Sequence, residues 1–211
     1  MLKRLLIVAI ILAFLLLVIG VILTQYRRQS VARVQVSPFT ATIFSEPRPF
    51  PHFTLTDDQK RVFTNANFAD HWTLMFFGFT YCKSICPTTL AELAQVFRML
   101  PEHLAQTKVQ VVFVTVDPEH DSPERLRSYL NSFSPSFIGV TGEATSLEKL
   151  RRQVGILVLA RGPEPSSMDP GDSIDHSGTI LLINPKGEYV GVFSMPHEAN
   201  AIIQDLVALI G

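Results

Sequence analysis

Nineteen consecutive residues without a charge, Leu5 to Leu23, restrict the first part of this chain to one environment. At about 1.5 Å per residue, a helix of that length spans roughly 28 Å, close to the hydrocarbon thickness of a bilayer. Lys3 and Arg4 precede the run, and Arg27 and Arg28 follow it. A cleavable signal peptide would carry an apolar core of only about 7–15 residues, ending in a small-x-small site. Gly20-Val21-Ile22-Leu23-Thr24 offers no such site, so residues 1–28 read as an N-terminal transmembrane anchor. Basic residues on both sides nearly balance the positive-inside bias, and the N-terminal amine tips it towards N-inside, C-outside. That orientation describes a single-pass inner-membrane protein with its C-terminal part in the periplasm or an equivalent exported space.

Charge narrows the partners. Setting aside the four basic residues that flank the apolar run leaves 14 Lys and Arg against 19 Asp and Glu, a balance of −5 that argues against nucleic acid. Residues 29–48 read as a tether, because the stretch from Ser30 to Pro51 carries Pro38, Pro47, Pro49 and Pro51 and lacks a clear period. Residues 49–211 then suit one domain, since about 160 residues fit a single core.

Within that domain, strand-like and helix-like patterns alternate. His52 to Thr56 and Arg61 to Thr64 alternate around Asp57-Asp58-Gln59-Lys60, as a small hairpin does. Trp72 to Gly78 and Val109 to Val116 are nearly all apolar, the mark of strands covered on both faces. Thr89 to Leu100 carries a helical stripe at Leu90, Leu93, Ala94, Val96 and Phe97. Ser122-Pro123 starts a second helix with a capping serine and a proline in the first turn. Phe137 to Val140 reads as a short strand, Ser146 to Val154 as a helix, and Gly155 to Ala160 as another apolar run. A Pro/Gly/Ser-rich stretch, Arg161 to Ser173, precedes a strand, turn and strand over Thr179 to Phe193 and a closing helix from His197. This order predicts an α/β domain with a mixed sheet flanked by helices.

The chain's two cysteines, Cys82 and Cys86, lie between the strand ending at Gly78 and the helix that follows. Pro87 has no N–H and is tolerated only in a first helical turn, so the helix is expected to begin at Cys86 or Pro87. The unpaired N–H groups there, and the positive end of the helix dipole, are expected to favour the thiolate of Cys86, and of Cys82 if the loop folds back. Two chemistries follow: dithiol–disulfide exchange, and binding of a soft metal ion. A structural Cys82–Cys86 disulfide is a third possibility, because an exported pair is even in number.

With cysteines at its first strand-to-helix turn, the domain looks like a thioredoxin fold, although the C-x-x-x-C spacing departs from the thioredoxin C-x-x-C. More specifically it resembles the Sco/SenC family of copper-binding proteins, membrane-anchored assembly factors for cytochrome c oxidase. The resemblance rests on Gly78-Phe79-Thr80-Tyr81-Cys82 with Cys86-Pro87-Thr88-Thr89-Leu90, on Val116-Asp117-Pro118-Glu119 with Asp121, and on Asp175-His176-Ser177. It implies that Cys82, Cys86 and His176 bind copper and that the copper-bearing subunit of the oxidase, or another copper-transfer protein, is the partner. Two thiolates and an imidazole make a soft, low-coordinate set that suits Cu(I). Zinc could occupy the same ligands with a water, so the identity of the metal leans on the resemblance.

The resemblance also implies an acid near the metal at Asp117, either orienting a ligand or docking a partner, with a plain Asp-Pro turn as the competing reading. Asp175 could support His176 in the same way, Asp121 is expected to help start its helix, and Met168, in the long loop, is a soft thioether that could visit Cu(I), although a single loop methionine ordinarily has no role. A lone histidine after a loop is ordinarily a surface residue, and His52, His71, His103, His120 and His197 show no partner pattern. Lys83 and Ser84 stand where the family often has proline and aspartate, and Lys83 is expected to lower the thiol pKa values. The stretch before Asp175 is also poor in aromatic residues. The rival to a copper chaperone is a thiol–disulfide oxidoreductase in which Cys82 attacks and Cys86 resolves. A peroxide-reducing thiol protein is disfavoured, because the cysteine motif differs from that of peroxiredoxins.

Overall fold

The computed structural model of the chain describes Leu15 and residues 17–20, 40–101, 104, 109–160, 174–176 and 178–210. Two compact units are distinguished, Met1–Val36 and Ser37–Gly211. In the first, Leu15 and residues 17–20 are helical, and the rest of the expected anchor lies outside the described residues. Among the described residues no helix is long and apolar enough to cross a membrane.

The second unit is built on an eight-stranded sheet. Its strands are β1 (Thr42–Pro49), β2 (Thr54–Asp57), β3 (Val62–Thr64), β4 (Trp72–Gly78), β5 (Val109–Thr115), β6 (Ile138–Thr141), β9 (Ile180–Ile183) and β10 (Glu188–Phe193). They lie in the order β1-β10-β9-β4-β5-β6-β2-β3. Strands β4, β5 and β6 are parallel neighbours, while β9 meets β4 antiparallel and β10 meets both β9 and β1 antiparallel, giving the mixed sheet expected. A separate two-stranded ribbon pairs β7 (Val158–Ala160) with β8 (Ile174–His176).

Alternation along β4 explains why the sheet is covered on both faces. Leu74 and Phe76 pack in one cluster with residues of α1 (Ile85–Met99), α2 (Pro123–Asn131) and α4 (Ala199–Ile210). Met75 and Phe77 pack in the other with Leu147 and Leu150 of α3 (Ala144–Gln153) and with Phe50, Phe63 and Phe68. Ser122 caps α2 as expected, its hydroxyl accepting from Arg125 N at 3.3 Å.

Two local differences from the sequence reading have simple causes. Thr42–Pro49 falls in the stretch read as tether, yet it forms an edge strand on β10, with a register irregularity between Ile43 and Arg48. Prolines are tolerated on an edge at positions that owe no ladder hydrogen bond, so they do not exclude a strand there. The entry to this strand is fastened by Asp205 of α4, whose carboxylate accepts from Thr40 Oγ1 and Ala41 N, each at 2.7 Å. Helix α1 begins one residue before the expected start, at Ile85, with Ser84 preceding it and making no side-chain cap.

Candidate metal centre

The centre lies beyond the C-terminal ends of parallel strands β4 and β5, where open α/β sheets place their sites. After Gly78 the chain turns, Cys82 N donating to Phe79 O at 3.2 Å, and enters α1. The loop does fold back: Cys86 N donates to Cys82 Sγ at 3.4 Å, so the amide of the first helical turn points at the sulfur of Cys82. The two side chains also share a hydrogen bond. Cys86 is fully buried, whereas Cys82 is half-buried.

Burial corrects one expectation. Desolvation pushes the Cys86 thiol far above its ordinary range, and contact with Cys82 pushes it further. A backbone hydrogen bond with Phe79 pulls the other way without offsetting that effect. The sulfur of Cys86 fits only because residue 78 is glycine. A Cβ there would stand 2.6 Å from Cys86 Sγ and 2.7 Å from Phe113 Cε2.

Asp121 lies beneath the loop, and it too departs from expectation. Ser122 caps the helix, and the fully buried Asp121 carboxylate instead binds the cysteine loop. It accepts from Thr80 Oγ1 at 2.5 Å, Thr80 N at 3.1 Å and Thr115 Oγ1 at 2.6 Å. Burial pushes its pKa up, while the donors from Thr115 and Thr80 pull it down. Arg125 adds a second fastening, with Nε donating to Thr80 Oγ1 at 2.6 Å and the guanidinium 4.0 Å from the Tyr81 ring centroid. The clamp thus holds the two residues immediately before Cys82.

Asp117 follows β5 at the same end of the sheet. Its amide donates to Thr115 Oγ1 at 2.9 Å, and its carboxylate accepts from His120 Nδ1 at 2.9 Å. His120, which the sequence reading set aside, has its pKa raised by that carboxylate and lies edge-on to Tyr81, 5.9 Å between centroids. Its three-residue spacing from Asp117 was the available signal, since both sit in one turn.

Asp175 and His176 form the end of β8, with Asp175 opposite Leu159 and His176 opposite Val158. Two residues on, buried Gly178 passes close to α1. A Cβ on it would collide with Met195 Sδ and stand 3.2 Å from Ile85 Cγ2. Ile85 adjoins Cys86, so the backbone bearing His176 returns beside the start of the cysteine helix. Met168 lies outside the described residues.

A strand-to-helix cysteine turn at the end of a mixed sheet defines a thioredoxin-like α/β protein. The SCO1/SenC family model matches residues 45–211, and the chain belongs to that family. The bovine mitochondrial protein SCO2 homolog is 36% identical over 150 residues, covering 71% of this chain and 55% of that protein. This chain therefore matches only about half the length of that relative. Apo Sco1 from Thermus thermophilus is similar in structure at 32% identity and TM-score 0.70, covering 83% of this chain and 99% of that one. ScoI from Arabidopsis thaliana, solved with copper bound, matches at 29% identity and TM-score 0.68, covering 76% and 96%.

Proposed function

We propose that this protein is a membrane-anchored copper chaperone that holds one copper through Cys82, Cys86 and His176 and delivers it to the copper centre of cytochrome c oxidase during assembly. The observation that carries the reading is the meeting of the two sulfurs at the start of α1, beside the returning backbone of β8. Two sulfurs and an imidazole form a soft donor set that matches copper, and the relative with copper bound shares the fold. Burial keeps the Cys86 proton in place until a metal displaces it, so loading releases protons and strengthens as pH rises. Transfer proceeds by ligand exchange, the half-buried Cys82 being the sulfur a docked partner reaches first.

The test is copper binding by the full-length chain, reduced, in wild type, Cys82→Ala, Cys86→Ala and His176→Ala. Either cysteine variant should lose the metal, and the histidine variant should bind it more weakly. Unchanged binding in His176→Ala would overturn the three-ligand site.

The contrast between an accessible Cys82 and a buried Cys86 also favours a second reading, thiol–disulfide exchange. Cys82 thiolate attacks a sulfur of a partner's disulfide, forming a mixed disulfide and expelling one partner thiolate. Cys86, losing its proton, then attacks Cys82 Sγ, closing Cys82–Cys86 and releasing the second partner thiolate. The partner gains two electrons, which an exported dithiol reductant must restore to the pair. Activity that survives His176→Ala but not the cysteine variants would select this reading.

A further inference from the structure

We infer that His197 is a positioning residue for the copper site, holding the backbone that carries His176 against the cysteine helix. This rests on the three-ligand reading above. His176 ends β8, which among the described residues pairs with β7 alone, outside the eight-stranded sheet, and the main sheet resumes at Ile180. Gly178 is where the described chain passes from one to the other. Its position therefore governs where His176 enters the site.

Two groups fix Gly178. On its Cα side lie Met195 and Ile85, close enough that a Cβ would stand 2.8 Å from Met195 Cγ and 3.2 Å from Ile85 Cγ2. On its carbonyl side, His197 Nε2 lies 2.5 Å from Gly178 O. A carbonyl can only accept, so Nε2 carries the proton. The ring is half-buried, and desolvation pushes its pKa below the ordinary histidine value, favouring the neutral form. In that form Nδ1 is the bare nitrogen, and it is buried without a hydrogen-bond partner among the described residues. Among the described residues, the ring's hydrogen-bond partner is thus the Gly178 carbonyl.

The frame behind His197 is itself tied to the cysteines. Glu92 of α1 accepts from Ala199 N at 3.0 Å, joining the first turn of α4 to the helix that begins beside Cys86. His197 therefore transmits the position of α1 to Gly178, two residues from His176. Ligand geometry must be held within about 0.5 Å to be productive, and removing groups that orient a ligand typically costs about 10–100-fold in metal affinity.

The experiment uses the full-length chain loaded with Cu(II), in wild type, His197→Gln, His197→Phe, His176→Ala and His197→Phe/His176→Ala. Affinity is measured by competition, and imidazole coordination by its nitrogen hyperfine signature. His197→Phe should bind copper about 10–100-fold more weakly with a weakened imidazole signature. His197→Gln, whose amide N–H reaches the same carbonyl, should stay near wild type. In the His176→Ala background, His197→Phe should cost nothing further, because the two act through one ligand. Wild-type affinity and signature in His197→Phe, or a full additional loss in the double variant, would overturn the inference. Should His197→Phe not fold, Gly178→Ala displaces the same point through Met195 and should reproduce the loss. Unchanged affinity in His176→Ala alone would instead fail the three-ligand reading, and the inference with it.

Discussion

The cysteine loop and the β7–β8 ribbon, the two halves of the proposed site, lie in structurally opposite surroundings. The loop leaves the centre of the sheet, between strands buried on both faces, and is fastened from below by Asp121 and from the side by Arg125. The ribbon has two strands of three residues, pairs only with itself among the described residues, and rejoins the sheet beyond Gly178. Isolated two-stranded pairings are marginal in water, whereas a clamped loop beside a central strand opens only with the core. One half of the proposed site is therefore built in advance, and the other is held by a few contacts at its base. That division suits the proposed site, which would have to grip a metal and also give it up.

The contrast can be broken most directly by hydrogen exchange. Amides of β4 and β5 should exchange only through global unfolding, while those of β7 and β8 exchange through local opening, faster by on the order of a thousandfold. Equal protection would abolish the distinction. Next in size is Asp121→Ala, which leaves Thr80 N and two hydroxyls without their acceptor. It should cost about 3 kcal/mol in urea unfolding, with Asp121→Asn recovering part of this. A loss below about 1 kcal/mol would mean that the loop is not clamped.

A pair of histidines sharpens the comparison by pH. His120, beside the cysteine loop, has its pKa raised by Asp117, so its contribution is present below pH 6.5 and is lost as pH rises through the raised value. His197, at the base of the ribbon, has its pKa lowered by burial, so its contribution is present above pH 6.5 and is lost as pH falls through the lowered value. NMR titration of the copper-free chain should show His120 titrating above 6.5 and His197 below it, and the reverse order would refute both assignments. The smallest effect expected is that of Tyr81→Ala, which removes the ring under Arg125 and should cost about 0.5–1 kcal/mol by thermal unfolding.

Much of the scaffold was legible because its signals are local. The apolar run of β4, Pro87 in the first turn of α1, the Ser122-Pro123 start of α2 and the turn between β9 and β10 all announce themselves within a few residues. The cysteines and the Asp175-His176 pair stood out by motif. Asp121 stood in a motif as well, but its role did not show, because its hydrogen-bond partners lie 41 and 6 residues away and only the sheet brings Thr80 and Thr115 together. His197 was illegible for the same reason, its carbonyl partner being 19 residues distant. Edge strand β1 was hidden by its prolines, since an edge tolerates what a central strand would reject. The thiol of Cys86 was misjudged because a helix terminus can be read from sequence, whereas burial cannot.

Gly78 and Cys86 compete for a single space. The sulfur of Cys86 occupies the space that a side chain at position 78 would need, with Phe113 closing the remainder. Positions 78 and 86 are thus coupled in space, and a side chain at position 78 must displace the sulfur or the Phe113 ring beside it.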